Sequence, residues 1–258
     1  MKSRRKNEIM KRLVVEQALK MEEMAALCGV SVETIRRDVA DMEREGLVEK
    51  VYGGIRLRQG VGRSVSSLDS WSERLGRCHE EKARIAARAL ELVEDHAVIA
   101  LDIGTTVYEL SRLLGVKKNL TIITNSLPMA AELSRTTEHH VLCIGGRVST
   151  NETATGGSYA RRFLEDFATV DLFVMGADGV SLQQGVTEYS EGIVDVKRQL
   201  AALAKRRVLL CDHSKFGVEA PFKSCPLEQV DTLITDQQTP AKLLEGLAKR
   251  GVEVLCAE

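Results

Sequence analysis

Hydrophobic and polar positions along the first sixty residues fall into three helical periods and then a short strand-like one. Over residues 6–15, Ile9, Leu13 and Val14 recur at helical spacing with Met10 beside them, which predicts a first helix with one apolar stripe. After a polar break, residues 21–28 place Met21, Met24, Ala25 and Leu27 on roughly one face, and Gly29 stands where a left-handed residue ends a helix. Ser31 then offers its hydroxyl to the free amides of a third helix running to about residue 45. The inward positions of that helix are Ile35, Val39 and Met42, so Val32, Glu33, Arg36 and Arg37 face outward near its start, and Gly46 ends it. Residues 47–57 shorten to apolar runs around Gly53 and Gly54, the pattern of a two-stranded hairpin.

The pattern lapses over residues 58–77, which are rich in Gly, Ser and charge and read as a connector. The only tryptophan, Trp71, lies in this stretch and is expected to dock on a folded neighbour. Beyond residue 80, helical patterns such as 80–92, 106–114 and 191–205 alternate with short apolar runs. Those runs are 97–101, 120–124, 141–144, 172–175, 208–211, 232–235 and, more weakly, 252–256. Such alternation predicts an α/β domain with a largely parallel, doubly wound, Rossmann-like sheet. The expected organisation is a mainly helical head with a β wing at 1–58, a linker at 59–79 and an α/β domain at 80–258.

Composition changes this picture little. At 258 residues and 44% hydrophobic content the chain can bury a substantial core, yet no run approaches the ~18 apolar residues of a membrane helix. The basic N-terminus lacks the apolar stretch of a signal peptide, so the expected location is the cytoplasm with no membrane partner. The six cysteines are far apart, without a CxxC pair or zinc-finger spacing, and are read as reduced thiols. His139 and His140 read as a strand-edge pair, and neither a metal nor a cofactor is expected. Charge is more informative: residues 1–63 hold 14 Lys and Arg against 10 Asp and Glu, the remainder 22 against 27. A basic head on an acidic body suits phosphate-backbone binding at one end.

Two helices joined by a tight Gly-containing turn, the second opening with exposed Ser31, Val32, Glu33, Thr34, Arg36 and Arg37, have the layout of a DNA-reading helix-turn-helix. Arginine suits this position because its planar fork can pair with guanine O6 and N7 or with a phosphate. A hairpin directly after such a helix is a wing, and its Lys50, Arg56 and Arg58 are candidates for phosphate contacts that set register. The expected partner is double-stranded operator DNA bound by a homodimer or homotetramer, since two-fold proteins match paired half-sites.

In doubly wound sheets the ligand lies beyond the carboxyl ends of the strands. Here those positions are small or polar: Asp102, Gly104, Thr105 and Thr106; Asn125 and Ser126; Gly145, Gly146 and Arg147; Asp178; and Lys215. Gly104-Thr105-Thr106 entering a helix offers free amides and hydroxyls to a phosphate, with Lys215 and Arg147 adding charge. Asn125, Asp178 and Glu188 can hydrogen-bond sugar hydroxyls. Neither GxGxxG after the first strand nor GxxxxGK[ST] is present, which disfavours dinucleotides and nucleoside triphosphates.

The segment SVETIRRDVADMEREGLVEKVYGGI resembles the N-terminal signature of the DeoR family of bacterial repressors, with Ile55 where many members have Ala after the glycine pair. EKARIAARAL, LDIGTT, TIITNS, CIGGRV, FVMGADGV and CDHSKFG are similar to the family's sensor domain, with Ile103 where a Ser often precedes GTT. The resemblance implies a winged helix-turn-helix followed by a ribose-5-phosphate-isomerase-like sensor domain. It also implies a repressor of a carbohydrate operon, and recognition of a phosphorylated sugar or sugar alcohol by Thr105, Thr106, Asn125, Ser126, Gly145, Gly146, Asp178 and Lys215. An alternative is a sugar-phosphate isomerase or deaminase with a fused DNA-binding head, using Asp178 as base. Against it, the GADG loop holds a single acid with no second one close by in that loop.

Overall fold

A computed structural model describes residues 5, 6, 9, 12, 13, 18–44, 48–51, 53–57, 71–149 and 152–258. The expectations for Met10, Val14, Gly46 and Arg58, and for most of the connector, lie outside these residues. The chain divides into two compact units, Met1–Asp69 and Ser70–Glu258.

In the first unit, Arg5, Lys6, Ile9, Arg12 and Leu13 are helical, and Ile9 and Leu13 are fully buried. The next helix is Met21–Cys28, ended by Gly29 at φ 62°, the left-handed cap that glycine adopts without steric cost. Of its expected stripe, Met24 and Ala25 are buried and Met21 packs against the same core, while Leu27 is exposed; the inward line is continued by Cys28 instead. The helix Val32–Arg44 follows, with Ile35, Val39 and Met42 buried as the spacing predicts. The Ser31 hydroxyl accepts from the Thr34 amide at 3.3 Å.

The polar break before the second helix is a strand. Ala18–Lys20 (β1) pairs antiparallel with Gly54–Leu57 (β3), which also pairs with Val48–Val51 (β2), giving the order β1-β3-β2. This explains the glycine pair. Gly53 turns the hairpin at φ 77°, and a side chain on Gly54 would overlap the Leu19 carbonyl of β1. Leu19, Val48 and Ile55 close the small core under the helices.

The second unit is built on a seven-stranded sheet ordered β15-β14-β12-β9-β4-β5-β6. Its strands are Val98–Leu101 (β4), Thr121–Thr124 (β5), His140–Cys143 (β6), Val170–Met175 (β9), Ala204–Leu210 (β12), Thr232–Asp236 (β14) and Glu253–Ala257 (β15). Every pairing is parallel, and all seven expected apolar runs are present. From β4 the chain runs outward through β5 to β6, then returns to β9 on the other side and runs outward through β12, β14 and β15. The order therefore reverses between β4 and β9, and the crevice for a ligand opens at their carboxyl ends.

Helices cover both faces, among them His79–Leu90, Thr105–Leu113, Leu127–Thr136 and Glu191–Leu203. Ala100 and Phe173 face one apolar layer, and Ile99, Leu101 and Val174 the other, as side-chain alternation on a doubly covered sheet requires. Two small sheets lacking an apolar signature were not expected. Arg147–Ser149 (β7) pairs with Ala154–Gly156 (β8), and Gly179–Ser181 (β10), Gly185–Glu188 (β11) and Phe222–Cys225 (β13) form an antiparallel trio.

The described end of the stretch expected to be a connector is helical. Trp71–Gly76 is a helix within the second unit, and Trp71 packs edge-on against Tyr108 with ring centroids 5.5 Å apart. Trp71 thus docks as expected, but on the α/β unit to which its own segment belongs.

Candidate functional site

The third helix of the first unit presents Glu33, Arg36 and Arg37 to solvent. The two arginine side chains are 66% and 81% exposed, and both face the Glu33 carboxylate, at 3.5 and 4.0 Å. On the hairpin, Lys50 pairs with Glu43 at 2.5 Å and Arg56 with Glu49 at 2.6 Å. The Arg56 guanidinium is held above its ordinary pKa, chiefly by its hydrogen bond to Glu49. All four cations are thus paired with exposed acids, and exposed pairs of this kind are worth little and exchange readily for phosphate. The next residue of the same motif, Asp38, does something different. It is buried and accepts from Arg5 at 2.9 Å, tying the first helix to the third. Ser31, Val32 and Thr34 lie at the helix start, Ser31 exposed and the other two half-buried.

In the second unit one cavity opens at the switch between β4 and β9. It is lined by Gly104, Thr105, Thr106, Asp178, Glu188 and Lys215 from the expected set, together with Arg74 and Lys197. Gly104 takes φ 122°, which favours glycine, and caps the helix Thr105–Leu113 without any side chain occupying its first amides. Gly176 and Gly179 let the loop after β9 approach closely; a side chain on Gly179 would overlap the Val218 carbonyl.

Beneath the cavity lies a buried charge cluster. Lys197, 1% exposed, contacts Asp102 at 2.8 Å, the Gly176 carbonyl at 2.9 Å and Glu188. Burial opposes the ammonium, but the two carboxylates outweigh it and hold its pKa above the ordinary lysine value. Burial raises Asp102 and pushes Glu188 up to about 8, against the opposing pull of Lys197. One lysine therefore balances two acids of which one keeps its proton near neutrality. Glu188 also accepts from Ser224 at 3.2 Å. The GADG loop itself holds the single acid expected there, but Asp102 and Glu188 arrive from other strands, and the charge of Asp178 is among the influences raising Glu188.

Arg74 enters from the helix Trp71–Gly76. Its guanidinium binds Glu152 at 2.6 Å and approaches Asp178 at 3.9 Å, while its buried Nε has no protein partner. Its carbonyl accepts from Lys82, which also donates to the Arg77 carbonyl at 2.6 Å. Burial lowers the Lys82 pKa. Arg74, Glu152 and Lys197 were missed because neither a strand end nor a motif marks them; the pairing of each across the fold is the only signal.

The remaining expected residues lie apart from this cavity. Asn125 is fully buried and clips β8 by donating to the Thr155 carbonyl at 3.0 Å, leaving its own Oδ1 without a protein partner. Ser126 caps the helix Leu127–Thr136, accepting from the Met129 amide at 3.5 Å. Gly145 adds no wall to the cavity. Gly146, at φ 145°, lets the chain pass the Gly156 carbonyl, 2.6 Å from where its Cβ would stand. Arg147 lines a separate cavity with Ser149, Gly157 and Ser190. Among the described residues one grouping has metal-ligand chemistry, Cys78 with Asp212 and His213. No helix among them is long and apolar enough to cross a membrane.

A winged helix with exposed arginines, carried on the same chain as an α/β unit with a cavity at its switch point, defines a DNA-binding transcriptional regulator with a sensor domain. The chain belongs to the DeoR family: residues 5–60 match its DeoR-like helix-turn-helix domain and residues 77–237 its C-terminal sensor domain. It is 30% identical over 253 residues to a putative aga operon transcriptional repressor of Escherichia coli O157:H7, covering 98% of this chain and 93% of that protein. It is 32% identical over 254 residues to the transcriptional regulator GolR of Listeria innocua, covering 98% of both. The glycerol-3-phosphate regulon repressor of Escherichia coli is 27% identical over 98% of this chain and 99% of its own length. Among solved structures, ribose 5-phosphate isomerase of Methanocaldococcus jannaschii superposes with a TM-score of 0.40 at 21% identity over 54% of each chain.

Proposed function

We propose that the chain represses a carbohydrate catabolic operon and that a phosphorylated sugar or sugar alcohol, bound at the β4–β9 crevice, sets its grip on the operator. The observation that carries this reading is the uncapped helix start at Gly104-Thr105-Thr106, which shares one cavity with Arg74 and Lys215. Free amides and two cations converging on one crevice suit a dianionic phosphate. Asp178 and Glu188 on the same wall suit hydroxyl groups. Relatives named for the aga operon and the glycerol-3-phosphate regulon support this class of pathway.

The cavity encloses about 40 Å³. A water occupies about 30 Å³ of liquid, so a sugar phosphate needs side chains to move. Arg74 is the group placed to do so, since a phosphate can replace Glu152 as its partner. The helix bearing Arg74 stands at the end of the segment leading from the first unit, and its displacement is the step we assign to effector response. The site binds without turnover on this reading. Lys197 engages both Asp102 and Glu188, and Asp178 accepts from the Tyr189 amide at 2.9 Å, so each acid of this wall has a positioning contact. Two copies of the chain place two heads on paired half-sites.

The test is to select an operator from random duplexes and titrate it with the full chain across a panel of sugar and sugar-alcohol phosphates, assaying the same compounds for conversion. One class of compound is expected to change operator affinity by roughly 5- to 150-fold. In Lys215→Ala that response is lost while operator affinity stays. A flat response across the panel sinks the sensing half of the proposal, absent DNA selection sinks the whole, and conversion of a compound supports the isomerase alternative.

A further inference from the structure

The start of the helix His79–Leu90 meets the loop after β12, which also carries Lys215. Cys78 caps that helix with a left-handed backbone, φ 49°. Its thiol, the Asp212 carboxylate and a ring nitrogen of His213 lie within 4.8 Å of one another. Asp212 and His213 are adjacent, but Cys78 precedes them by 134 and more positions, so no spacing motif announces the set.

Each member is already positioned. Asp212 is buried, and one of its oxygens is held by the Ser214 amide at 3.0 Å and by the Ser214 hydroxyl. The His213 amide donates to buried Asp236 at 2.7 Å, and its Nδ1 meets the same carboxylate at 3.1 and 3.2 Å. A carboxylate on one imidazole nitrogen is the arrangement that fixes the tautomer and orientation of a metal-ligating histidine. The Cys78 thiol is pushed up by burial, then by Asp212 and Glu81, so it is a neutral thiol until a cation arrives. Of the neighbouring cations, Lys82 is turned onto the Arg74 and Arg77 carbonyls and is close enough to Asp212 and to Lys215 to interact with each.

We propose that Cys78, Asp212 and His213 form a three-ligand site for a divalent transition metal of the zinc class. One sulfur, one nitrogen and one oxygen donor suit a borderline-soft ion and leave a fourth position to water or ligand. Bonds of ~2.0–2.3 Å at tetrahedral angles set donor separations of about 3.5 Å, so the donor atoms, now within 4.8 Å of one another, close by at most about 1.3 Å on binding. The thiol proton leaves to solvent as the sulfur–metal bond forms. Thiolate and carboxylate together neutralise the ion. Because Cys78 follows the Arg74 helix and the other two ligands follow β12, a bound ion ties these two segments together. The site stands whether or not the crevice binds a sugar phosphate.

Metal-free full-length protein titrated with Co2+ is expected to bind one ion per chain with a thiolate-to-cobalt charge-transfer band, and Zn2+ is expected to displace it. In the unsubstituted chain, Zn2+ is expected to shield Cys78 from alkylation, read by mass spectrometry of its peptide. Cys78→Ser should abolish the band, and Asp236→Asn should weaken binding about 10- to 100-fold while leaving the three ligands in place. A band that persists in Cys78→Ser, or unchanged alkylation of Cys78 at saturating Zn2+, overturns the proposal. The alkylation measurement needs no variant, so misfolding of a substituted chain does not blunt the test.

Discussion

The two units handle charge in opposite ways. On the winged helix, Arg36, Arg37, Lys50 and Arg56 are exposed and leaned on exposed acids. Beneath the sensor cavity, Lys197 is sealed with Asp102 and Glu188. Exposed pairs are screened and worth a fraction of a kcal/mol, so in the proposed DNA complex the head would trade Glu33, Glu43 and Glu49 for phosphates at little cost. A sealed pair is a poor source of net stability, yet removing one partner strands the other in a low-dielectric interior. The same residue types thus serve exchange in one unit and fixed geometry in the other.

The sharpest way to break this comparison is Lys197→Met. With two acids left unpaired, the chain should lose about 3–5 kcal/mol in urea unfolding. A variant as stable as the parent would show that the cluster is not holding the crevice. Arg36→Ala should do the reverse, weakening operator binding by about 1–3 kcal/mol with stability within ~0.5 kcal/mol of the parent. Equal binding in Arg36→Ala and Arg37→Ala would move the DNA face elsewhere.

A third effect is smaller and depends on pH. Glu188 titrates near 8 in the folded chain, from an ordinary value of 4.5. The folded state therefore holds a proton that the unfolded state has lost between those values. Its contribution is complete below the lower value and disappears as pH rises through the upper one. Glu188→Gln, which keeps the hydrogen-bonding shape without a titrating proton, should flatten that decline in a pH series of unfolding midpoints. Last, Lys50→Ala should reduce the slope of log affinity against log salt by about 0.9, the signature of one phosphate contact. An unchanged slope would leave the wing as scaffold.

Much of the scaffold was legible because its signals are local. The helix stop at Gly29, the stripe of Ile35, Val39 and Met42, and the seven apolar runs of the sheet each follow from a few consecutive residues. β1 was not legible. Three residues carry no period, and their strand exists only because β3 offers an edge and Gly54 removes a side chain from the approach. The helix Trp71–Gly76 was hidden for a related reason: six residues cannot display an amphipathic stripe, and Trp71 finds its partner on Tyr108, far along the chain. In the crevice, strand-end reasoning named Gly104–Thr106, Asp178 and Lys215, which the topology brings to one cavity. Asn125, Ser126, Gly145, Gly146 and Arg147 stand apart from that cavity, because their strands lie on the outer side of β4. There the polar residues tie the β7–β8 hairpin and a helix start in place.

The contact between Trp71 and Tyr108 has a practical side. The chain holds a single indole, and it leans on the helix whose first residues line the crevice, three positions before Arg74 in its own helix. Intrinsic emission excited at the red edge of the absorption band therefore comes from this one place. The unlabelled protein is its own optical gauge of whether that short helix has stayed seated or lifted.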